Sequence, residues 1–133
     1  MILLDTHALV WLVEGLPQIG AVARAAADAA LSEDSLAVSA ISFWEVAMLQ
    51  ARGRLRLRQP AEAWRAELLE RGLVELPVTG EIGIAAVRLA DFHADPADRI
   101  ITATAALRRA TLITADDRIL AWSGPVGRLD AQT

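Results

Sequence analysis

The sequence predicts an α/β fold in which one parallel β-sheet carries helices on both of its faces. Short apolar runs alternate along the chain with longer amphipathic stretches, a pattern typical of α/β proteins. Most of the apolar runs are uninterrupted, as expected for parallel strands that are buried on both faces. Right-handed crossovers between successive strands then place helices on both sides of the sheet.

Five short segments are predicted as strands, and helical patterns separate them. The strands are 2–4, 36–38, 73–76, 111–114 and the less apolar segment 126–129. Helices are predicted over 6–14, 19–31, 42–52, 60–71, 79–92 and 96–109, and a last short helix begins near Asp116 or Asp117. Gly53 and Gly72 are natural helix stops, and Pro60 suits a first helical turn.

Composition restricts the class of protein. A chain of 133 residues, 54% of them hydrophobic, fits one domain over residues 1–133 with an ample core. The absence of cysteine excludes disulfides, thiolate metal sites and a cysteine nucleophile. A net charge of −4 argues against a polybasic nucleic-acid binder. The N-terminus lacks the pattern of a secretory signal, and no apolar run approaches the roughly 20 residues of a membrane span. We therefore expect a soluble cytoplasmic protein that does not associate with membranes.

Four acidic residues lie at corresponding places in the predicted fold. Asp5 directly follows the first strand, and Asp116 follows the strand 111–114. Asp98 is expected in the first turn of the helix 96–109, and Glu45 in the first turn of the helix after the second strand. Ligands of such sheets bind outside the carboxyl ends of the strands, near the point where the strand order reverses. We therefore expect these four carboxylates to converge on one small region.

Each acidic residue also has an ordinary explanation as a helix cap or a partner of the helix dipole. We interpret Asp95 and Asp117 in that way. The other four form a set, and clustered carboxylates repel one another by ~4 kcal/mol per pair at about 4 Å and an effective dielectric of 20. Such a cluster needs protons or a cation, and its oxygen ligands favour Mg²⁺ or Mn²⁺ over zinc. A cation of this kind supports the hydrolysis of a phosphodiester by activated water.

The chain resembles PIN-domain proteins, and specifically VapC-type toxins, over essentially its whole length. Four segments carry the resemblance, in this order: 1–11 (MILLDTHALVW), 39–47 (SAISFWEVA), 93–101 (HADPADRII) and 112–116 (LITAD). The resemblance implies a five-stranded parallel sheet flanked by helices, forming a single PIN domain. It also implies an acidic pocket that binds one or two Mg²⁺ or Mn²⁺ ions.

The resemblance assigns roles to individual residues. Asp5, Glu45, Asp98 and Asp116 become the catalytic, metal-binding carboxylates. Thr6 and Thr114 become hydroxyls that support the ligands or hold water. The implied partners are an RNA substrate and a cognate antitoxin whose tail enters the pocket, in a homodimer or a hetero-oligomer with the antitoxin.

Several other residues have two interpretations. Arg52, Arg54, Arg56 and Arg58 alternate with leucines and glycine, so they form either a contact strip for RNA or antitoxin, or a solvated loop with inward leucines. Arg99 is expected to steady the acidic cluster by pairing with Asp98, although an ordinary helical ion pair is the alternative. For His7 and His93 we favour packing or hydrogen bonding over proton transfer.

The resulting hypothesis is a Mg²⁺-dependent endoribonuclease that acts as the toxin of a type II toxin–antitoxin system. It would hydrolyse RNA by metal-activated water and leave 5′-phosphate and 3′-hydroxyl ends. One alternative is a PIN nuclease without a toxin role, acting in RNA processing or on DNA. Another is a catalytically silent PIN module that binds RNA or a protein partner.

Overall fold

The computed structural model describes all 133 residues as five strands and seven helices. The strands are β1 (Ile2–Leu4), β2 (Leu36–Ser39), β3 (Val74–Leu76), β4 (Thr111–Thr114) and β5 (Gly127–Asp130). The helices are α1 (Thr6–Val13), α2 (Ala21–Ser32), α3 (Ala40–Ala51), α4 (Ala61–Glu70), α5 (Gly80–Val87), α6 (Pro96–Arg108) and α7 (Asp117–Leu120). The predicted α/β class and the predicted order of elements are confirmed.

All five strands belong to one parallel sheet with the order β3-β2-β1-β4-β5. The chain therefore moves outward from β1 through β2 to β3, and then crosses to β4 on the other side of β1. The strand order reverses between β1 and β4. At this point the crossovers on the two sides of the sheet diverge and leave a crevice at the carboxyl edge.

The apolar core lies on both faces of the sheet, because successive side chains of a strand point to opposite faces. Leu4 and Val38 belong to the larger core cluster, which includes side chains of α1, α2, α3 and α4. Leu3 and Ala37 belong to the second cluster, with Ile101 of α6 and Ile119 of α7. Burial on both faces explains why these strands are apolar without alternation.

Helix α3 begins two residues earlier than predicted. Ser39 is its N-cap and accepts a hydrogen bond from the amide of Ile41 at 3.2 Å, so the helix starts at Ala40 rather than at position 42. A serine in extended conformation suits this role because its hydroxyl satisfies one of the free amides of the first turn. Glu45 consequently lies in the second turn of α3, and its predicted place in the first turn is wrong.

Helix α5 is shorter than the predicted helix 79–92 and ends at Val87. The residues that follow it form a loop in which Asp91 adopts a positive φ of 56°. The guanidinium of Arg99, on α6, donates to carbonyl groups at the end of α5 and in this loop. The bond to the carbonyl of Ala86 takes the place of the amide that a further helical turn would supply, and the positive φ of Asp91 is incompatible with a helix that continues to Phe92.

The other predicted bounds agree with the observed ones to within two residues, and those of β1 and β4 are identical. Gly53 and Gly72 follow α3 and α4 with positive φ values of 69° and 107°, as expected of helix stops. Pro60 is the N-cap of α4 rather than its first residue. None of the helices is both long enough and apolar enough to cross a membrane.

Candidate active site

The four carboxylates identified from the sequence line one pocket of about 360 Å³ at the carboxyl edge of the sheet. Asp5 follows β1 and Asp116 follows β4, so the two residues flank the point where the strand order reverses. Glu45 enters the pocket from α3, and Asp98 enters it from the first turn of α6. The remaining residues that line the pocket are Thr6, His7, Trp11, Asp95, Ala115 and Arg118.

Asp5 is the most deeply buried of the four carboxylates, with 5% of the residue exposed. It is the N-cap of α1: its Oδ1 accepts from the amide of Thr6 at 2.8 Å, and its Oδ2 accepts from the hydroxyl of Thr114 at 2.7 Å. Burial raises the pKa of Asp5, and the two hydrogen bonds offset part of this increase. The side chain is therefore fixed in position, and its negative charge is poorly solvated.

Glu45 is half-buried beside a pair of hydroxyl groups. Thr6 donates from its hydroxyl to Oε1 of Glu45, and the same hydroxyl oxygen lies 2.8 Å from the hydroxyl oxygen of Ser42. Burial raises the pKa of Glu45, the hydrogen bond from Thr6 lowers it, and the nearby charge of Asp5 raises it further. Helix α3 thus presents Glu45 to α1 through a small polar contact inside an otherwise apolar interface.

Asp98 lies next to a histidine of the preceding loop. Nε2 of His93 is 2.6 Å from Oδ2 of Asp98, and the His93 ring stacks on Phe92 at a centroid distance of 4.4 Å. Asp95 caps α6 by accepting from the amide of Asp98 at 3.0 Å. Burial raises the pKa of Asp98, against the opposing effect of the hydrogen bond to His93. The cap thus fixes the start of α6, and the histidine fixes the direction of the Asp98 carboxylate.

Asp116 is the most solvated of the four and the N-cap of the short helix α7. Its Oδ1 accepts from the amides of Arg118 at 2.8 Å and of Ile119 at 3.3 Å. Nη2 of Arg118 is 3.1 Å from Oδ2 of Asp116 and 3.6 Å from Oδ2 of Asp98. Partial burial raises the pKa of Asp116, but the hydrogen bonds from the side chain and amide of Arg118 outweigh it and hold the pKa below its ordinary value.

The donor set fits a hard divalent cation. Single ligand atoms of His93, Asp98 and Asp116 all lie within 4.8 Å of one another, and Asp5 and Glu45 line the same pocket. Three of the four carboxylates have raised pKa values, which means that the pocket tolerates negative charge poorly. Carboxylate oxygens are the ligands that Mg²⁺ and Mn²⁺ prefer, and a cation among them would offset both the burial of these charges and their smaller mutual repulsion.

The predicted pairing of Arg99 with Asp98 is wrong. The Arg99 guanidinium donates instead to the carbonyls of Ala86 at 3.0 Å, Phe92 at 2.6 Å and His93 at 2.8 Å. A planar guanidinium has five donors and suits a cluster of carbonyls better than a single carboxylate does. Arg99 therefore contacts the site only through His93, whose backbone it holds.

The side chains of Arg52, Arg54, Arg56 and Arg58 are exposed and do not line the acidic pocket. The leucines between them, Leu55 and Leu57, are partly buried against the larger core cluster. Arg56 and Arg58 also line a separate groove beside the end of α1. The inward leucines agree with both interpretations of the segment, so its role in RNA or antitoxin contact stays a prediction.

We did not identify Arg118 from the sequence. For His93 we predicted packing or hydrogen bonding but named no partner. Arg118 follows Asp116 by two residues, which is the spacing at which an N-cap carboxylate accepts from a backbone amide, so the Arg118 side chain starts beside that carboxylate. His93 precedes Asp98 by five residues, across the Asp95 cap at which the chain turns into α6. These short spacings are the signals that could have indicated both contacts.

Comparison with known proteins agrees with this geometry. Residues 2–123 match the PIN domain family. The chain is 37% identical over 119 residues to ribonuclease VapC22 of Mycobacterium tuberculosis. These aligned residues cover 89% of this chain and 88% of the relative. The fold is shared with a DNA-bound VapBC complex from Salmonella typhimurium (TM-score 0.70, 19% identity, 97% and 96% of the two chains). It is also shared with a toxin–antitoxin complex from Klebsiella pneumoniae (TM-score 0.64, 22% identity, 98% of each chain).

Proposed function

Because this chain belongs to the PIN-domain family, we propose that it is a divalent-metal-dependent endoribonuclease and the toxin of a type II toxin–antitoxin system. One observation carries the proposal: carboxylates from four separate elements, Asp5, Glu45, Asp98 and Asp116, line a single pocket, and three of them have raised pKa values. Residues 1–133 then act as a single cytoplasmic PIN domain. The identity to ribonuclease VapC22 supports the choice of RNA as the substrate.

In this proposal Asp5, Glu45, Asp98 and Asp116 hold Mg²⁺, with Mn²⁺ as the alternative. The bound cation would activate water and neutralise charge on a phosphodiester that undergoes in-line displacement. Asp5 contributes an oxygen whose direction Thr114 fixes, and Thr6 does the same for Glu45. These hydroxyls keep two buried carboxylates oriented toward the pocket, because each carboxylate has an oxygen committed to a protein donor.

The toxin role and its partners are supported by relatives and by the surface. VapBC and other toxin–antitoxin complexes share the fold, which supports a cognate antitoxin as the partner. Trp44 on α3 and Ile84 and Val87, one turn apart on α5, are the three most exposed large apolar side chains, at 57%, 56% and 79%. We propose that they belong to a homodimer or to a hetero-oligomer with the antitoxin. The strip Arg52, Arg54, Arg56 and Arg58 is the proposed contact for RNA phosphates or for the antitoxin.

The test is RNA cleavage by the purified, antitoxin-free protein. Total RNA is incubated with the protein in Mg²⁺ or in EDTA, and the ends of the products are mapped. Asp5→Asn is compared with Asp117→Asn, which removes an exposed acidic group next to the site but outside the pocket. We expect discrete cuts with 5′-phosphates that are lost in EDTA and in Asp5→Asn and kept in Asp117→Asn.

Other outcomes would redirect the assignment. Cleavage of single- or double-stranded DNA in preference to RNA would favour a DNA nuclease with the same metal chemistry. RNA binding without cleavage by the folded protein would favour a silent binding module. Cleavage that persists in EDTA would contradict the assignment of the four carboxylates.

A further inference from the structure

Arg118 is the one arginine that lines the acidic pocket. Its Nη2 lies 3.1 Å from Oδ2 of Asp116 and 3.6 Å from Oδ2 of Asp98, and its Nε lies 3.4 Å from Oδ1 of Asp116. A single guanidinium therefore spans the two carboxylates. The same Oδ2 of Asp98 is also contacted by His93, so the positive charge of Arg118 approaches an already engaged oxygen.

A divalent cation and this guanidinium need the same oxygens. Mg²⁺ takes its carboxylate oxygens at about 2.0–2.1 Å with near-octahedral geometry. A cation held jointly by Asp98 and Asp116 would need carboxylate oxygens that Nη2 of Arg118 now contacts, at 3.6 Å from Oδ2 of Asp98 and 3.1 Å from Oδ2 of Asp116. The two positive groups would repel each other at such a distance. The guanidinium has to move before these carboxylates can share a cation.

The surroundings of Arg118 allow this movement. Its side chain is 62% exposed, so the guanidinium can turn into solvent without leaving a cavity. The cap of α7 uses Oδ1 of Asp116 and the backbone amides of Arg118 and Ile119, so the helix start does not depend on the guanidinium. A released Arg118 would stay at the rim of the pocket, and its planar fork matches the geometry of a phosphate.

We propose that Arg118 is an internal counter-ion which a divalent cation displaces from Asp98 and Asp116, and which then binds a phosphate of the RNA. This inference rests on the proposed metal-dependent ribonuclease. It makes Arg118 a competitor of the metal in the absence of RNA and a substrate-binding residue in its presence. The two roles have opposite consequences when the charge is removed.

The first measurement is the direct binding of Mn²⁺, which is monitored by the electron paramagnetic resonance signal of the free ion. Wild type is compared with Arg118→Gln, Arg118→Lys and the control Arg108→Gln, an exposed arginine at the far end of α6. We expect Arg118→Gln to bind Mn²⁺ about 2- to 5-fold more tightly, the fold-change that corresponds to a surface ion pair. Arg118→Lys keeps the charge and is expected to stay close to wild type, like Arg108→Gln.

The second measurement is steady-state cleavage of a defined RNA at saturating Mn²⁺. There Arg118→Gln should raise KM about 10-fold, as expected when a charged hydrogen-bonding partner of the substrate is removed, with a smaller effect on kcat. A purely structural role of Arg118 would not combine tighter metal binding with weaker RNA binding. Circular dichroism establishes that the variants are folded.

The outcomes separate the two levels of the proposal. If wild type binds Mn²⁺ and cuts RNA but Arg118→Gln binds Mn²⁺ no more tightly, the counter-ion role is overturned and the nuclease stands. If Mn²⁺ binding tightens while KM is unchanged, the phosphate contact is overturned. If neither protein binds Mn²⁺, the metal site itself fails, and the inference fails with it.

Discussion

The hydroxyl of Thr114 donates to Oδ2 of Asp5 at 2.7 Å, although 109 residues separate the two in sequence. The contact follows from the register of the sheet, in which Leu4 of β1 pairs with Ile113 of β4. The residues that follow this pair are therefore Asp5, just beyond the end of β1, and Thr114, the last residue of β4. The most buried carboxylate of the site is thus held by its neighbouring strand, and not only by the helix it caps.

Removing this hydroxyl should damage both the fold and the site. In Thr114→Val we expect the free energy of unfolding to fall by about 1.5–3 kcal/mol, since a buried carboxylate oxygen loses its donor. We expect cleavage activity to fall about 10- to 100-fold, the usual cost of losing a partner of a metal ligand. Urea unfolding and RNA cleavage measure the two effects.

Thr102→Val is the matched control for Thr114→Val. Thr102 is equally buried, but its hydroxyl has no hydrogen-bond partner. Replacing it with valine should leave stability and activity unchanged, or raise stability slightly, because no satisfied polar group is removed. Equal destabilisation by both substitutions would show that the contact between Thr114 and Asp5 has no special role.

The stability of Asp5→Asn relative to wild type should depend on pH in a defined direction, because the substitution removes the titrating carboxyl. Burial raises the pKa of Asp5 in the folded protein above its ordinary value of 3.8, so folding favours the protonated acid. The protonated Asp5 therefore contributes to the stability of the wild type at pH values below the pKa of the unfolded state. This contribution is lost as the pH rises through the pKa of the folded state. In EDTA, Asp5→Asn should therefore be more stable than wild type at pH 7, while inactive.

The difference in stability between the two proteins should shrink as the pH falls toward 3.8, the ordinary pKa of the Asp5 carboxyl. Thermal unfolding of both proteins in EDTA across this pH range measures it. Saturating Mg²⁺ at pH 7 should stabilise the wild type but not the variant, because the cation binds only the native carboxylate set. A variant that is less stable than wild type at every pH would contradict the unfavourable burial of this charge.

Arg99 should be required for stability and not replaceable by lysine. The guanidinium binds carbonyls of Ala86, Phe92 and His93 at the same time, whereas an ammonium cannot reach all of them. We expect Arg99→Lys to lower the free energy of unfolding by about 1–3 kcal/mol. Arg108→Lys, on the exposed part of the same helix, should change it by less than about 0.5 kcal/mol. Chemical denaturation compares the two.

The arginine strip makes a prediction about salt dependence. If Arg54 and Arg56 bind RNA phosphates, the double variant Arg54→Gln, Arg56→Gln should bind single-stranded RNA more weakly. The slope of log affinity against log salt should decrease by about 0.7 for each phosphate that the protein no longer neutralises. Fluorescence anisotropy with a labelled RNA measures both quantities, with Arg108→Gln as the control. An unchanged slope would mean that the strip does not bind RNA phosphates and that it contacts the antitoxin or solvent instead.

Much of the site could be predicted because its residues follow elements that the sequence marks clearly. Asp5 comes directly after β1, Asp116 comes two residues after the end of β4, both strands are marked by short apolar runs, and Asp98 follows a proline that starts a helix. The carboxyl ends of parallel strands meet at one edge, so chain position alone places these residues together. Glu45 was predicted in the right helix but one turn too early, because the Ser39 cap could not be distinguished from one at Ser42.

The sequence by itself determined the fold class, the order of elements and the sheet edge at which the four carboxylates of the candidate site meet, because hydrophobic periodicity and helix signals act over a few neighbouring residues. Only the tertiary structure decided which donors hold those carboxylates. Thr114 reaches Asp5 through strand register, His93 reaches Asp98 through a loop, and Arg99 turns to carbonyl groups instead of a carboxylate. These contacts depend on where separate segments pack. When two partners are within reach of a long side chain, no local pattern of residues decides which of them it contacts.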